Sequence, residues 1–220
     1  MAVSVLLIDD HPLLLQGYKL ILNNNDLEFS TTITTASNCK TAYDLITNSL
    51  KEVTYDIIFL DVTLPAYPEM KIYNGDDLVP LARKKFPKAK IVIITSHTEA
   101  VILLKIIENC NPDGFLLKND VSPEEFIMAF NAILNGTIYY SETVKKHQLS
   151  FNKDNKLLDN YNTQILLLLS QGMHNKNIQE HLHLSKSAVD KRKVQIKRLL
   201  NIDKGNDQDI IKEAKKRGLI

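Results

Sequence analysis

The chain carries 220 residues, 44% of them apolar and 24% charged, an ordinary globular composition that suits one large domain or two modest ones. Its apolar runs are far shorter than a membrane span, its first residues lack the basic start and long apolar core of a secretion signal, and Cys39 and Cys110 stand without metal or redox spacing. These features argue against membrane, secreted and disulfide-framework classes and predict a cytoplasmic protein with free thiols. The net charge of +1 conceals an acidic front, with 13 Lys+Arg against 18 Asp+Glu over residues 1–150 (net −5), and a basic back, with 14 against 8 over residues 151–220 (net +6). That asymmetry predicts two domains with different partners, the second a polyanion binder.

In chain order, residues 3–8 form a continuous apolar run, which reads as a strand buried on both faces and ends in Asp9-Asp10. Residues 13–22 read as a helix, residues 30–36 as a second strand rich in Thr and Ile, and residues 41–50 as the helix after it. The third strand, 57–60, ends in Asp61 and precedes a helix over 78–85. The fourth, 91–94, ends in Thr95-Ser96, with a helix over 101–108. The fifth, 115–117, ends in Lys118. The helix over 122–134 has Ser122 as N-cap, Pro123 at its first position and Glu124-Glu125 in its first turn, and closes near Gly136. This alternation predicts an α/β fold, a doubly wound five-stranded parallel sheet with right-handed crossovers.

Residues 137–157 turn polar and read as a linker with at most a short helical start. From 158 onward the strand signal is lost. Ile165, Leu166, Leu168 and Leu169 mark a helix with Asp159 as N-cap, closed by Gln171-Gly172. Ile178 and Leu182 mark a short second helix, Ser185 caps a third with Val189, Ile196, Leu199 and Leu200 inward, and residues 207–217 form a fourth. The sheet is therefore followed by a small all-α domain containing a helix-turn-helix, giving domains at 1–136 and 158–220.

Ligands of an open parallel sheet sit outside the carboxyl ends of its strands. The fold thus gathers Asp9, Asp10, Asp61, Thr95 and Lys118 at one edge. Three carboxylates repel one another and call for a cation, and Mg²⁺ suits oxygen ligands. Asp10 and Asp61 are the expected direct ligands, with Asp9 acting through water and the Thr63 backbone carbonyl in reach. A phosphoryl group on an aspartate is matched by Lys118 and Thr95.

The pieces Ile8-Asp9-Asp10-His11-Pro12 with Gly17, Asp56 to Asp61 with Leu64-Pro65, residues 91–95, and Gly114-Phe115-Leu116-Leu117-Lys118 resemble the receiver domain of two-component response regulators. The resemblance implies that Asp61 accepts a phosphoryl group from a sensor histidine kinase, that Asp9 and Asp10 hold Mg²⁺, that Thr95 is the switch hydroxyl, that Lys118 pairs with phosphate, and that Phe115 turns inward on activation. Phe115 stands where the family often has tyrosine. Between Pro65 and Gly75 the chain also has nine residues, 66–74, where the family has about three. They read as a tolerated surface loop, with a partial lid over the acceptor as the alternative.

Residues 158–220 resemble the LuxR-type helix-turn-helix of NarL/FixJ-like regulators, through Leu158, Ile165-Leu166, Gln171-Gly172, Asn175 to Ile178, Leu182, Leu184-Ser185, Val189, Ile196, Leu200 and the ending Lys216 to Ile220. Lys186, Ser187, Asp190, Lys191, Val194 and Lys197 are expected on the exposed side of the third helix. Its early residues should meet base edges of double-stranded DNA, and Lys176, Lys193 and Lys197 phosphates. Asp190 interrupts the family's usual Thr-Val-Lys run, and either accepts from a cytosine amino group or repels phosphate. The resemblance further implies a homodimer on DNA, with the last helix as its contact.

Two rivals stand beside this reading. A haloacid-dehalogenase-like phosphatase wants a second aspartate two residues after its nucleophile, where this chain has Thr63. A receiver-output protein acting by protein interaction alone would use the basic helix for docking. The favoured reading is a non-enzymatic, DNA-binding regulator.

Overall fold

The computed structural model describes residues 2–23, 30–48, 53–154 and 160–220, with side chains described outside 149–160. Contact density divides the chain into two compact units, Met1–His97 with Lys105–Lys145, and Thr98–Leu104 with Lys146–Ile220.

In the first unit, strands β1 (Ala2–Ile8), β2 (Ser30–Ala36), β3 (Ile57–Asp61), β4 (Lys90–Thr95), β5 (Gly114–Leu117) and β6 (Tyr139–Tyr140) alternate with helices α1 (Pro12–Asn23), α2 (Cys39–Thr47), α3 (Val79–Lys85), α4 (Ala100–Cys110, of which residues 100–104 count with the second unit) and α5 (Pro123–Leu134). Among the described residues they form one all-parallel sheet, ordered β2-β1-β3-β4-β5-β6. Every residue of β3 and β5 is buried, as strands covered on both faces must be. Phe59, Phe126 and Phe130 pack between sheet and helices, with Phe59 and Phe126 rings 5.0 Å apart.

The expected five strands become six. Tyr139 pairs with Gly114 and Tyr140 with Phe115, and two residues are too few to show a strand periodicity. The expected linker also holds more than a short helical start. After β6 comes helix α6 (Glu142–Asp154), whose first turn is held by Asp120: its carboxylate accepts from the Thr143 backbone N at 3.1 Å and the Thr143 hydroxyl at 3.0 Å. Only Val144 is a buried apolar residue among the described side chains of α6, so its sequence lacks the apolar stripe that would have announced it. The proposed N-cap Asp159, as well as Leu158 and the last residues of the helix expected over 41–50, lie outside the described residues.

In the second unit, α7 (Asn160–Ser170), α8 (Asn175–Leu182), α9 (Lys186–Leu199) and α10 (Asp207–Lys216) enclose Ile165, Leu166, Leu169, Ile178, Val189, Ile196, Ile210 and Ala214. Ser185 caps α9 by accepting from the Ala188 N at 3.2 Å, as expected from its position. Gly172, at φ 78°, ends α7 in the left-handed region.

Candidate functional site

Register builds the acidic pocket. Ile8 of β1 pairs with Leu60 of β3, so Asp9 and Asp61 emerge side by side. Asp61 pairs with Ile94 and Thr95 with Leu117, which brings Thr95 and Lys118 to the same edge. Lys118, with a side chain only 8% exposed, places Nζ 2.8 Å from Asp61 Oδ2 and 2.7 Å from Asp9 Oδ2. Asp61 Oδ1 accepts from the Thr63 backbone N at 3.2 Å. Oxygens of Asp9, Asp10 and Asp61 and a ring nitrogen of His11 all lie within 4.8 Å of one another. His11 Nδ1 is 3.0 Å from Asp9 Oδ1 and 2.9 Å from Asp10 Oδ1.

Burial pushes the Asp61 carboxyl above the ordinary carboxylate range, against the downward pull of Lys118. For Lys118, burial draws the ammonium down, and its hydrogen bonds to Asp61 and Asp9 more than restore it, so its net shift is upward. Tyr18 of α1 stacks on Phe126 at 4.7 Å beneath the pocket. Burial, and then the charges of Asp9 and Asp61, push its phenol upward, keeping it neutral. With all three aspartates ionised, the one ammonium leaves two negative charges unmatched, and the donors are oxygen-rich. A divalent hard cation fits that charge and donor set.

Two further expected residues behave differently. The buried Thr95 hydroxyl is engaged by the His97 backbone N at 3.2 Å. Phe115 is wholly buried, edge-on to Tyr140 with centroids 6.3 Å apart, so this conformation has no outward ring left to turn inward. Sequence reasoning missed the side chains of two rim residues, Thr63, which it used only for its backbone carbonyl, and His97; their Oγ1 and Nε2 lie 3.3 Å apart. Each stands two residues past a strand-end site residue, which is the signal that would have found them.

Gly75 shows why the spacing after Pro65 matters. A Cβ there would meet the Asp61 carbonyl oxygen at 1.8 Å, and Gly75 N donates to the Val62 carbonyl at 2.8 Å. The chain must return to the end of β3 at a glycine. Residues 66–74 close on themselves through Tyr67 and Ile72, with N–O distances of 2.7 and 3.2 Å. Tyr67 packs its ring edge-on to Tyr43 of α2, so the excursion is anchored on α2.

On the helix-turn-helix, Lys176, Lys186, Ser187, Asp190, Lys191 and Val194 are exposed. Lys197 is half-buried and donates to the Gly205 carbonyl at 2.6 Å. Lys193 departs from expectation. It is 7% exposed and pairs with Asp207 Oδ2 at 2.7 Å, holding α9 to the start of α10 instead of facing a phosphate. Sequence reasoning also missed Arg192, whose guanidinium lies 4.7 Å from the Tyr161 ring centroid and donates to Asn162 Oδ1 at 3.2 Å.

Comparison with known proteins bears on the whole chain. It is 29% identical to the nitrate/nitrite response regulator protein NarL of Escherichia coli, over 90% of this chain and 87% of that protein. It is 25% identical to the oxygen regulatory protein NreC of Staphylococcus haemolyticus, over 99% of both. Among solved structures it resembles RcsB of Salmonella enterica serovar Typhimurium, solved bound to promoter DNA with a phosphomimetic, at TM-score 0.62 and 21% identity over 96% of this chain and 97% of that one, a likeness that speaks for the fold. A LuxR-family response regulator from Aurantimonas matches at TM-score 0.56 and 27% identity, over 69% of this chain and 99% of that one. The profile of the response regulator receiver domain matches residues 5–131, the stretch that builds the whole acidic pocket, and the chain belongs to that family.

Proposed function

We propose that this chain is a DNA-binding response regulator in which Asp61 accepts a phosphoryl group from a sensor histidine kinase and the helix-turn-helix carries the output. The observation that supports it most is the shared ammonium: Lys118 lies within 2.8 Å of both Asp61 and Asp9 at one sheet edge. In the transfer, an Asp61 carboxylate oxygen forms the new O–P bond as the N–P bond of the kinase phosphohistidine breaks. Thr63 N holds Asp61 Oδ1 in place. Lys118 then exchanges a carboxylate partner for a phosphoryl oxygen, and the Thr95 hydroxyl leaves His97 N to meet another. Asp9, Asp10, Asp61 and the Thr63 carbonyl would hold Mg²⁺, which when bound supplies neutralisation of the phosphoryl charge.

The output half follows from charge and shape. Lys176, Lys186, Ser187, Lys191, Val194 and Lys197 line the face of α8 and α9 that meets double-stranded DNA, the lysines toward phosphates and the early residues of α9 toward bases. The proposed division is a receiver over 1–136 and an output domain over 158–220, dimeric on a two-fold site. NarL is by name a response regulator, and RcsB is described as DNA-bound, which supports the same reading here. Both thiols are free and buried, and no described helix is long and apolar enough to cross a membrane, which suits a cytoplasmic site of action.

Incubation with acetyl phosphate and Mg²⁺, followed by intact mass and a DNA mobility shift, tests the reading. We expect one added phosphoryl group and tighter DNA binding in the wild type, and neither in Asp61→Asn. Equal phosphorylation of both proteins would overturn it.

A further inference from the structure

The exposed face of α9 carries one carboxylate among its cations. Asp190, the fifth residue of the helix, stands exposed beside Lys186, Ser187, Lys191 and Val194. It is not loose. Its Oδ1 accepts a hydrogen bond at 3.0 Å from Nδ2 of Asn175, the first residue of α8. The contact dictates the orientation of the Asn175 amide, because the opposite orientation would set a carbonyl oxygen against a carboxylate. The Asn175 Oδ1 is meanwhile buried without a hydrogen-bond partner among the described residues. Two helices of the motif are thus joined by a bond that aims a negative group outward from the face proposed to meet a polyanion.

A carboxylate only accepts hydrogen bonds. In the major groove, guanine offers O6 and N7 and thymine offers O4, all acceptors that repel it. Adenine offers an amino group beside the acceptor N7, whereas the amino group of cytosine has no acceptor of its own base alongside. Residues in the first half of the second helix of a helix-turn-helix are those that reach base edges. We propose that Asp190 reads a cytosine amino group in each half-site, and that Asn175 is the positioning residue that holds its carboxylate in that direction. The inference rests on the DNA-binding reading above and names the base chemistry that the motif selects.

Selection of binding sites from a randomised duplex pool, using the full-length protein treated with acetyl phosphate, tests it with wild type, Asp190→Asn and Asn175→Ala. Affinity for random-sequence duplex at two salt concentrations is measured in parallel. The wild type should favour cytosine about tenfold at one position of each half-site. Asp190→Asn should move that position toward adenine, since an amide both donates and accepts. Asn175→Ala should reduce the cytosine preference to about twofold there and leave other positions unchanged. If Asp190→Asn tightens every duplex alike with no change of base, the carboxylate merely repels phosphate and the proposal fails. If Asn175→Ala selects the wild-type sequence with undiminished preference, the positioning role fails. Wild-type protein that does not retain random duplex even at low salt overturns the DNA-binding reading itself, a result separate from a loss of base preference.

Discussion

The acidic pocket and the basic helix place their charges by different rules. In the first unit, Asp9, Asp61 and Lys118 come from three strands whose order and register are set by a fully buried sheet, and each is the first residue past, or the last residue of, an apolar run. In the second unit most of the cations proposed to face DNA ride one helix, α9, and a rotation of about 100° per residue decides which of its residues meet solvent. Lys191 and Lys193 are two residues apart, yet the first is exposed and the second is buried against Asp207. Position along a strand survives small errors of reading, whereas position around a helix does not.

The sharpest test of that contrast is Lys118→Met. It leaves Asp9 and Asp61 buried without their ammonium, and should cost about 3–5 kcal/mol of stability at neutral pH, read by urea unfolding without divalent cations. A loss no greater than that of a surface lysine would break the account of the pocket. Close behind is Gly75→Ala. Its Cβ would collide with the Asp61 backbone, so a loss of about 3 kcal/mol is expected, along with slower phosphorylation by acetyl phosphate if Asp61 accepts the phosphoryl group as proposed. Gly17→Ala on α1, where nothing lies within 4 Å, should instead stabilise by about 0.5–1 kcal/mol.

Both cysteines fall in the first unit, so alkaline behaviour isolates it. Burial pushes the thiols of Cys39 and Cys110 from the ordinary 9.0 up to about 11. Above pH 9 the unfolded chain sheds these protons while the folded chain keeps them, so the folded state loses stability as pH rises from about 9 to about 11. Alkylation of the folded protein at pH 8 should run on the order of 100-fold slower than in urea. Equal rates would show that the first unit opens readily.

The smallest effects separate the two lysines of α9. Lys193→Ala should lower stability by about 1 kcal/mol, a modest figure because Asp207 is half exposed, and should leave the salt dependence of DNA binding unchanged. Lys191→Ala should do the reverse, with stability unaffected and the slope of binding against salt reduced by about one. Matching phenotypes would erase the difference in orientation.

Much of this architecture was legible beforehand. Apolar runs stopping at Asp9, Asp61, Thr95 and Lys118 disclosed both the strands and the pocket, because a strand buried on both faces must be apolar until it emerges. Ser122, Ser185 and the glycines at 136 and 172 marked helix boundaries through local chemistry. What stayed hidden had no periodic signature. β6 is two residues long, and α6 buries little among its described side chains. The bond from Asn175 to Asp190 joins residues 15 apart that share no local pattern.

Local composition and apolar periodicity by themselves determined the class of each element, the edge at which the site forms and the split between an acidic and a basic unit. Burial of apolar surface enforces those features whatever the detailed packing. Tertiary structure alone decided that Lys118 is shared by two carboxylates, that Gly75 must lack a side chain, and that Lys193 faces inward while Asp190 is held outward. Those outcomes depend on distances of a few ångströms between residues far apart in the chain, set by side-chain packing and electrostatics that no single segment contains.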